Sequence, residues 1–276
     1  MATTLTLKNK KILFIGAGNM AEAILQGLLN SGKADRSSIA VTEVKNERRD
    51  FICQKFEIHF FENNSEGVKN SDLILFAVKP QNIDEVLKEI AAVPLRNKIF
   101  ISIAAGVPIE RFEKALGKGA RIIRVMPNMP ALVGQGISGI SRGMFSSSED
   151  ENLAEEMMSS VGEVVRVPEN LLDAVTAVSG SGPAYFFYLM EALQKAGTEL
   201  GLSEEISNRL VKATALGASM LVKKSEESIE VLRKKVTSPG GTTEAAIHLF
   251  QKKGLSKIVI EGVCAAEKRS KELRGK

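Results

Sequence analysis

The residues Val236 to Phe250, VTSPGGTTEAAIHLF, place two glycines after a proline, then two hydroxyl side chains, then a run that reads helical. A helix start of that kind leaves backbone N–H groups without acceptors and turns them, with the positive end of the helix dipole, toward any anion that approaches. Capping is the alternative use of the same residues, with Thr242 or Thr243 as the N-cap and Glu244 in the first turn. A second start of this type lies near the N-terminus. There ILFIGAGNMAEAIL sets Gly16, Gly18 and Ala21 in the G-x-G-x-x-A spacing, directly after an apolar run and at the head of a helical one. Gly16 suits a tight turn, Gly18 a close approach of backbone to a pyrophosphate, and Ala21 close packing of helix on strand. The stretch therefore predicts a dinucleotide site.

A second strand candidate, SIAVTE, ends at Glu43, near the roughly 20-residue offset at which an acidic residue meets the adenosine ribose. Its carboxylate would accept hydrogen bonds from the 2′- and 3′-hydroxyls and repel a 2′-phosphate, which points to NADH. Lys45, Arg48 and Arg49 follow at once and could neutralise that phosphate, or could open a solvated helix, so NADPH stays a candidate. A third run, LILFAVKPQN, brings Ala77, Val78, Lys79 and Pro80 to the carboxyl edge of a sheet, where ligands of open α/β sheets lie. Lys79 is there either a ligand contact or a surface lysine capping a loop. Cys53, Cys264, His59 and His248 show no metal-ligand spacing, and no serine, histidine and acid form a convincing nucleophilic set. No metal is expected.

The elements that must hold these residues fall into two halves. From Lys11 to about Val167, β-rich runs (KILFIG, SIAVTE, LILFAV, KIFISIA, RIIRVM) are interleaved with helical stretches, the pattern of a mostly parallel sheet covered by helices. In MAEAILQGLLNSG, Ile24, Leu25, Leu28 and Leu29 make one apolar stripe, and Gly32 suits the stop. After Pro168 the strand signal fades. AYFFYLMEALQKAG and RLVKATALGASMLV are apolar around most of their circumference, and about 110 residues cannot easily bury several such helices alone. A second copy of the chain is the expected cover. The expected fold is an α/β Rossmann-like N-terminal domain, residues 1–167, followed by an all-α dimerisation domain, residues 168–276.

Composition narrows the functional classes. A net charge of +4 comes from Lys and Arg scattered among acids without long like-charged blocks, so a solvated surface explains it better than nucleic acid does. No apolar run approaches the roughly 18 residues of a membrane span, and the N-terminus lacks a signal-peptide core. With only two cysteines, a reducing, cytoplasmic setting is expected.

With GAGNMAEA, AVKPQN, SIAAGV, RVMPNMPALVGQG, AVSGSGPAYFF and VTSPGGTTEAA in this order, the sequence resembles pyrroline-5-carboxylate reductase over essentially its whole length. The resemblance implies NADPH- or NADH-dependent reduction of the cyclic imine 1-pyrroline-5-carboxylate to L-proline, an interlocked homodimer, higher assemblies of such dimers, and an active site between the two domains. It implies that Gly16, Ala17, Gly18, Asn19, Met20, Ala21, Glu43, Lys45, Ala77, Val78, Lys79, Pro80 and Ala104 hold the dinucleotide, with Met126 and Asn128 bordering the nicotinamide. Val178, Ser179 and Gly180 belong, on the same ground, to a flexible segment admitting the substrate ring, with Pro183 at the first turn of a long helix. Ser238, Gly240, Gly241, Thr242 and Thr243 match the substrate-carboxylate cradle. Thr243 would lie near the imine nitrogen, and Thr243 and Lys79 are the candidates for catalysis. One departure from the family pattern is Val44, where NADPH-preferring members often carry arginine. Two other readings compete: a β-hydroxy-acid dehydrogenase, which would need a lysine proton shuttle and could offer only Lys195 on the helix after Pro183, and a non-catalytic dinucleotide-binding oligomer.

Overall fold

A computed structural model describes residues 6–274. Among them eight strands form one sheet: β1 (Ile12–Ile15), β2 (Ile39–Thr42), β3 (His59–Phe60), β4 (Leu73–Phe76), β5 (Ile99–Ser102), β6 (Arg121–Met126), β7 (Gly136–Arg142) and β8 (Gly162–Arg166). The helices are α1 (Asn19–Asn30), α2 (Asn46–Phe56), α3 (Asn64–Lys69), α4 (Ile83–Ile90), α5 (Ile109–Leu116), α6 (Ser148–Met158), α7 (Leu172–Val175), α8 (Gly182–Glu199), α9 (Glu204–Lys224), α10 (Ile229–Lys235), α11 (Thr242–Lys252) and α12 (Leu255–Arg274). The five strands expected from the sequence are present, and β3, β7 and β8 are additional.

Strand order is β3-β2-β1-β4-β5-β6-β7-β8, and every neighbouring pair is parallel except β6 and β7. Residues of β1, β2, β4 and β5 are buried on both faces, as strands between two helical layers must be. Alternation sorts them. Ile12 and Phe14 join Ile24, Leu25 and Leu28 of α1 in one core, whereas Leu13, Ile15 and Phe76 join residues of α4 and α5 in the other. There Phe76 packs on Phe100 and Phe112 at ring separations of 5.9 and 5.2 Å. Order reverses between β1 and β4, because the chain runs outward from β1 through β2 and β3 before β4 pairs on β1's other side. That reversal is the switch point at which open α/β sheets generally hold their ligands, at the carboxyl ends of β1 and β4.

The chain divides into two compact units, one made of residues up to Gly180 together with those from Glu267 onward, the other of Ser181–Ala266. The division falls after Gly180, so α7 groups with the sheet. The reason is local: α7 lies so close to β7 that a Cβ at Gly139 would come within 2.8 Å of Val175. The end of α12 also belongs to the first unit. Ser270 Oγ donates to Asp173 Oδ1 at 2.7 Å and Arg274 Nη1 stands 3.2 Å from Asp173 Oδ2, the carboxylate being fully buried.

In the second unit α8 and α9 cross on small residues. Ser207 Oγ donates to the Gln194 carbonyl at 2.7 Å, and a Cβ at Gly197 would sit 2.2 Å from that hydroxyl. Large apolar side chains are otherwise uncovered in the single chain, among them Phe186 at 67% and Tyr188 at 76% exposure. Among the described residues no helix is long and apolar enough to cross a membrane.

Candidate functional site

The glycine loop sits at this switch point. β1 ends at Ile15, the Gly16 N–H donates to the Thr42 carbonyl at 2.8 Å, and the chain turns with Gly16 at φ +92° before α1 starts behind the N-cap Gly18. A Cβ at Gly16 would lie 2.9 Å from both the Ala77 carbonyl oxygen and Val78 Cγ1, so the end of β1 and the end of β4 touch there. At Gly18 a Cβ would meet nothing within 4 Å, which leaves the head of α1 open to solvent, the kind of helix start that can take an anion. Ala21 is buried under the helix. Asn19 and Met20 form the first turn of α1, whose leading amides have no carbonyl four residues back within the helix. α1 stops as expected, with Gly32 in the left-handed region at φ +65°.

Glu43 follows β2 and turns its carboxylate onto this loop. Its Oε2 accepts from the Ala17 N–H at 2.9 Å and its Oε1 from the Lys45 N–H at 3.0 Å. Val44 beside it is 91% exposed. Lys45 is the N-cap of α2 and exposed, so the basic run does open a helix. The two arginines after it are engaged within the protein. Arg48 donates to the Ala17 carbonyl and to Glu22, while Arg49 pairs with Asp50 and stacks over the Phe60 ring at 4.5 Å. Burial pushes the Glu22 carboxyl up, but the hydrogen bonds and charges of Lys55 and Arg48 outweigh it and hold the group below its ordinary value. Glu22 and Lys55 were not visible as site residues in the sequence, since their spacing from the loop matches no motif.

On the other side of the switch point, Ala77 and Val78 continue β4, Lys79 is exposed, and Pro80 begins a 3-10 turn. Ala104 is buried beyond β5. Farther along the sheet edge, residues distant in sequence meet. Asn128, buried after β6, accepts from the Ile137 N–H at 2.9 Å through Oδ1 and donates to the Ser179 carbonyl at 3.2 Å through Nδ2. Its side chain is therefore engaged on both ends. Met126 packs on Gly180, where a Cβ would come within 2.8 Å of Met126 Cε. Thr176–Gly180 forms a π-helical turn running into α8, with Ser179 Oγ bonded to the Val175 carbonyl at 3.0 Å and Val178 exposed. The segment expected to be flexible is helical here, in the wide π form. Pro183 stands in the first turn of α8, as read. Lys195, also on α8, is largely exposed with Glu199 4.0 Å away.

Within the second unit, Ser238–Thr243 forms a turn and helix start. The Gly241 N–H closes the turn on the Ser238 carbonyl at 3.0 Å, and Gly240 takes φ +72°. The N-cap of α11 is Gly241, with no side-chain cap, so neither Thr242 nor Thr243 caps. Both threonines lie inside the first turn, Thr242 one and Thr243 two positions past the cap, and their hydroxyls are not used on the helix's own leading amides. Glu244 reaches back instead, accepting from the Gly240 N–H at 2.8 Å.

Comparison with known proteins bears on both units. Residues 169–273 match the family model described as pyrroline-5-carboxylate reductase dimerisation, and residues 11–106 match one described as NADP oxidoreductase, coenzyme F420-dependent. A pyrroline-5-carboxylate reductase of Pseudomonas aeruginosa is 41% identical over 97% of this chain and 98% of its own length. One of Arabidopsis thaliana is 39% identical over 95% of each chain. The structure of a Coxiella burnetii pyrroline-5-carboxylate reductase superposes with a TM-score of 0.91 at 41% identity, covering 96% of this chain and 98% of that one. The Plasmodium falciparum pyrroline carboxylate reductase, crystallised with NADP bound, gives 0.84 at 31% identity over 97% and 99%.

Proposed function

This chain belongs to the pyrroline-5-carboxylate reductase family, and we propose how its residues share the reduction of 1-pyrroline-5-carboxylate to L-proline. It is an NAD(P)H-dependent oxidoreductase and carries the family's dimerisation segment. The reaction moves a hydride from the reduced nicotinamide to the imine carbon, while the C=N electron pair passes to a protonated nitrogen that becomes the amine of proline. The protein's share is to bind, orient and hold charge. Gly16 to Ala21 hold the pyrophosphate, Glu43 and Lys45 the adenosine end, and Ala77, Val78, Lys79, Pro80, Ala104, Met126 and Asn128 line the way to the nicotinamide. Val178, Ser179 and Gly180 shape the space for the ring. Ser238, Gly240, Gly241 and Thr242 hold the substrate carboxylate, and Thr243 presents its hydroxyl toward the imine nitrogen.

One observation supports this division of roles: two helix starts, α1 behind Gly18 and α11 behind Gly241, have no side-chain cap on their leading amides, which suits an anion at each. That the Gly240 N–H already takes a carboxylate, from Glu244, supports a carboxylate as the anion at the second start. The same reading places dinucleotide binding in residues 1–167 and substrate binding with dimerisation in 168–276, an interlocked homodimer that can assemble further, and a cytoplasmic setting. Uncovered side chains such as Phe186 and Tyr188 support the dimer, and the free thiols of Cys53 and Cys264 support the compartment.

The test is oxidation of NADH or NADPH with and without pyrroline-5-carboxylate, followed by the nicotinamide absorbance, in the parent and in Gly241→Val and Thr243→Ala. Substrate-dependent oxidation is expected in the parent, none in Gly241→Val, and a loss on the order of a hundredfold in Thr243→Ala. Proline should protect the parent from thermal unfolding and not Gly241→Val. Undiminished proline binding by that variant would move the carboxylate elsewhere and leave α11 with an ordinary helix start.

A further inference from the structure

We propose that Arg48 is a positioning residue for the dinucleotide, holding the glycine loop in its binding form, and that Glu22 keeps it there and away from a 2′-phosphate. The inference rests on reading Gly16 to Ala21 as the dinucleotide site.

Ala17 lies between two glycines, so the peptides on either side of it are the ones a free loop would rotate most easily. Each is held. Glu43 Oε2 accepts from the Ala17 N–H at 2.9 Å, which fixes the Gly16–Ala17 peptide, and Arg48 Nε donates to the Ala17 carbonyl at 2.6 Å, which fixes the Ala17–Gly18 peptide. In a trans peptide the carbonyl and the next N–H point in opposite directions. Arg48 on the Ala17 carbonyl therefore aims the Gly18 N–H to the opposite side.

Arg48 is itself fastened. Its Nη2 donates to Glu22 Oε2 at 2.5 Å, and Glu22 Oε1 receives Lys55 Nζ at 2.7 Å. The guanidinium carbon stands 5.3 Å from the centre of the Phe51 ring. Side chains of Arg48 and Glu22 are 25% and 21% exposed, so the pair is partly withdrawn from water. Nε and Nη2 are one edge of a rigid fork, with one donor on a carbonyl and one on a carboxylate; an ammonium cannot reproduce that spacing. A guanidinium so placed has its Nε–Nη2 edge committed to the loop and to Glu22 and cannot turn that edge to a 2′-phosphate, although it lies five residues past Glu43, where the sequence alone allows such a role. Releasing it requires the Glu22 charge to go.

The experiment measures NADH and NADPH dissociation constants by nicotinamide fluorescence on the full-length protein, with steady-state kinetics alongside. Arg48→Ala is expected to weaken NADH about tenfold, the scale of one hydrogen bond to a charged group, with kcat at saturating coenzyme changed little. Arg48→Lys should recover only part of that loss. Glu22→Gln should raise the NADPH-to-NADH affinity ratio several-fold as the guanidinium turns outward. A lower melting temperature for Arg48→Ala with an unchanged NADH dissociation constant would reduce Arg48 to a stability contact and overturn the proposal, and an unmoved ratio in Glu22→Gln would overturn its second part. Gly18→Val separates the two levels: NADH binding intact in that variant refutes the loop assignment, and the proposal with it, whereas NADH binding lost there but kept in Arg48→Ala refutes Arg48 alone.

Discussion

Glu43 and Ala17 are joined by a 2.9 Å hydrogen bond from the backbone N–H of one to the carboxylate of the other, so the end of β2 and the glycine loop form one piece. Any change at Glu43 is therefore felt in the loop. On the proposed assignment of Glu43 to the adenosine ribose, its carboxylate would repel a 2′-phosphate, and the exposed Val44 supplies no donor to offset it. Changing Glu43→Ser together with Val44→Arg should move the ratio of kcat/KM values toward NADPH by about tenfold or more, the scale of one charge-assisted contact. Absolute activity with NADH should fall too, because Ala17 loses its acceptor. An unmoved ratio would mean that the ribose is read elsewhere.

Gly16 and Gly18 should fail in different ways. Alanine at Gly16 needs a φ of +92° and places a Cβ 2.9 Å from the Ala77 carbonyl, so the apoprotein itself should lose roughly 1–3 kcal/mol. Alanine at Gly18 meets no protein atom within 4 Å, so its melting temperature should match the parent's while NADH binding weakens. Thermal melts with and without NADH distinguish the two. Equal destabilisation by both would contradict the assignment of open space at Gly18.

Glu22 gives a pH dependence of known sign. Its carboxyl is held below the ordinary value, near 4.3 for a glutamate, by Lys55 and Arg48 against the opposing effect of burial. A depressed carboxylate contributes stability that is fully present above the unfolded-state value and is lost as the pH falls through the folded-state value. The melting-temperature gap between the parent and Glu22→Gln should accordingly be widest near neutrality and close in acid. A gap that widens on acidification would reverse the assignment.

The buried Asp173 carboxylate depends on the last turns of α12. Removing a partner from a buried charge costs about 3–5 kcal/mol, so Ser270→Ala and Arg274→Ala combined should lower the melting temperature by several degrees. In an Asp173→Asn background the same pair should add little, since no charge is then left unpartnered. Additive losses in that cycle would show that Ser270 and Arg274 act through other contacts.

Strands buried on both faces were legible because apolar runs such as LILF and IFI leave no polar face. β7 and β8 were not: GISGISR and GEVVR carry glycine, serine and charge, and β7 pairs antiparallel with β6 at the far side of the sheet. β3, with two residues, leaves no periodicity to read. In the candidate site, glycine spacing located both helix starts, but which residue caps α11 depended on a turn closed between Ser238 and Gly241, which puts the cap at Gly241, one or two residues before the threonines offered by the sequence. The π-helical turn before α8 has no signature in SGSG, because the contact on it comes from Asn128, 51 residues away, which donates to the Ser179 carbonyl. Arg48 was seen only as charge, since its partners Ala17 and Glu22 lie 31 and 26 residues away.

The docking of α12 on α7 also fixes an order of events on the ribosome. Ser270 follows Asp173 by 97 residues, so at roughly 5–20 residues per second the nascent Rossmann half waits on the order of 5–20 s before its buried acid meets its partners. All of the second unit is synthesised in that interval. A chain stalled or cut before Ser270 thus carries an unsealed first unit, and co-translational handling by chaperones would have to span the whole of the helical segment rather than release the N-terminal half when its last strand emerges.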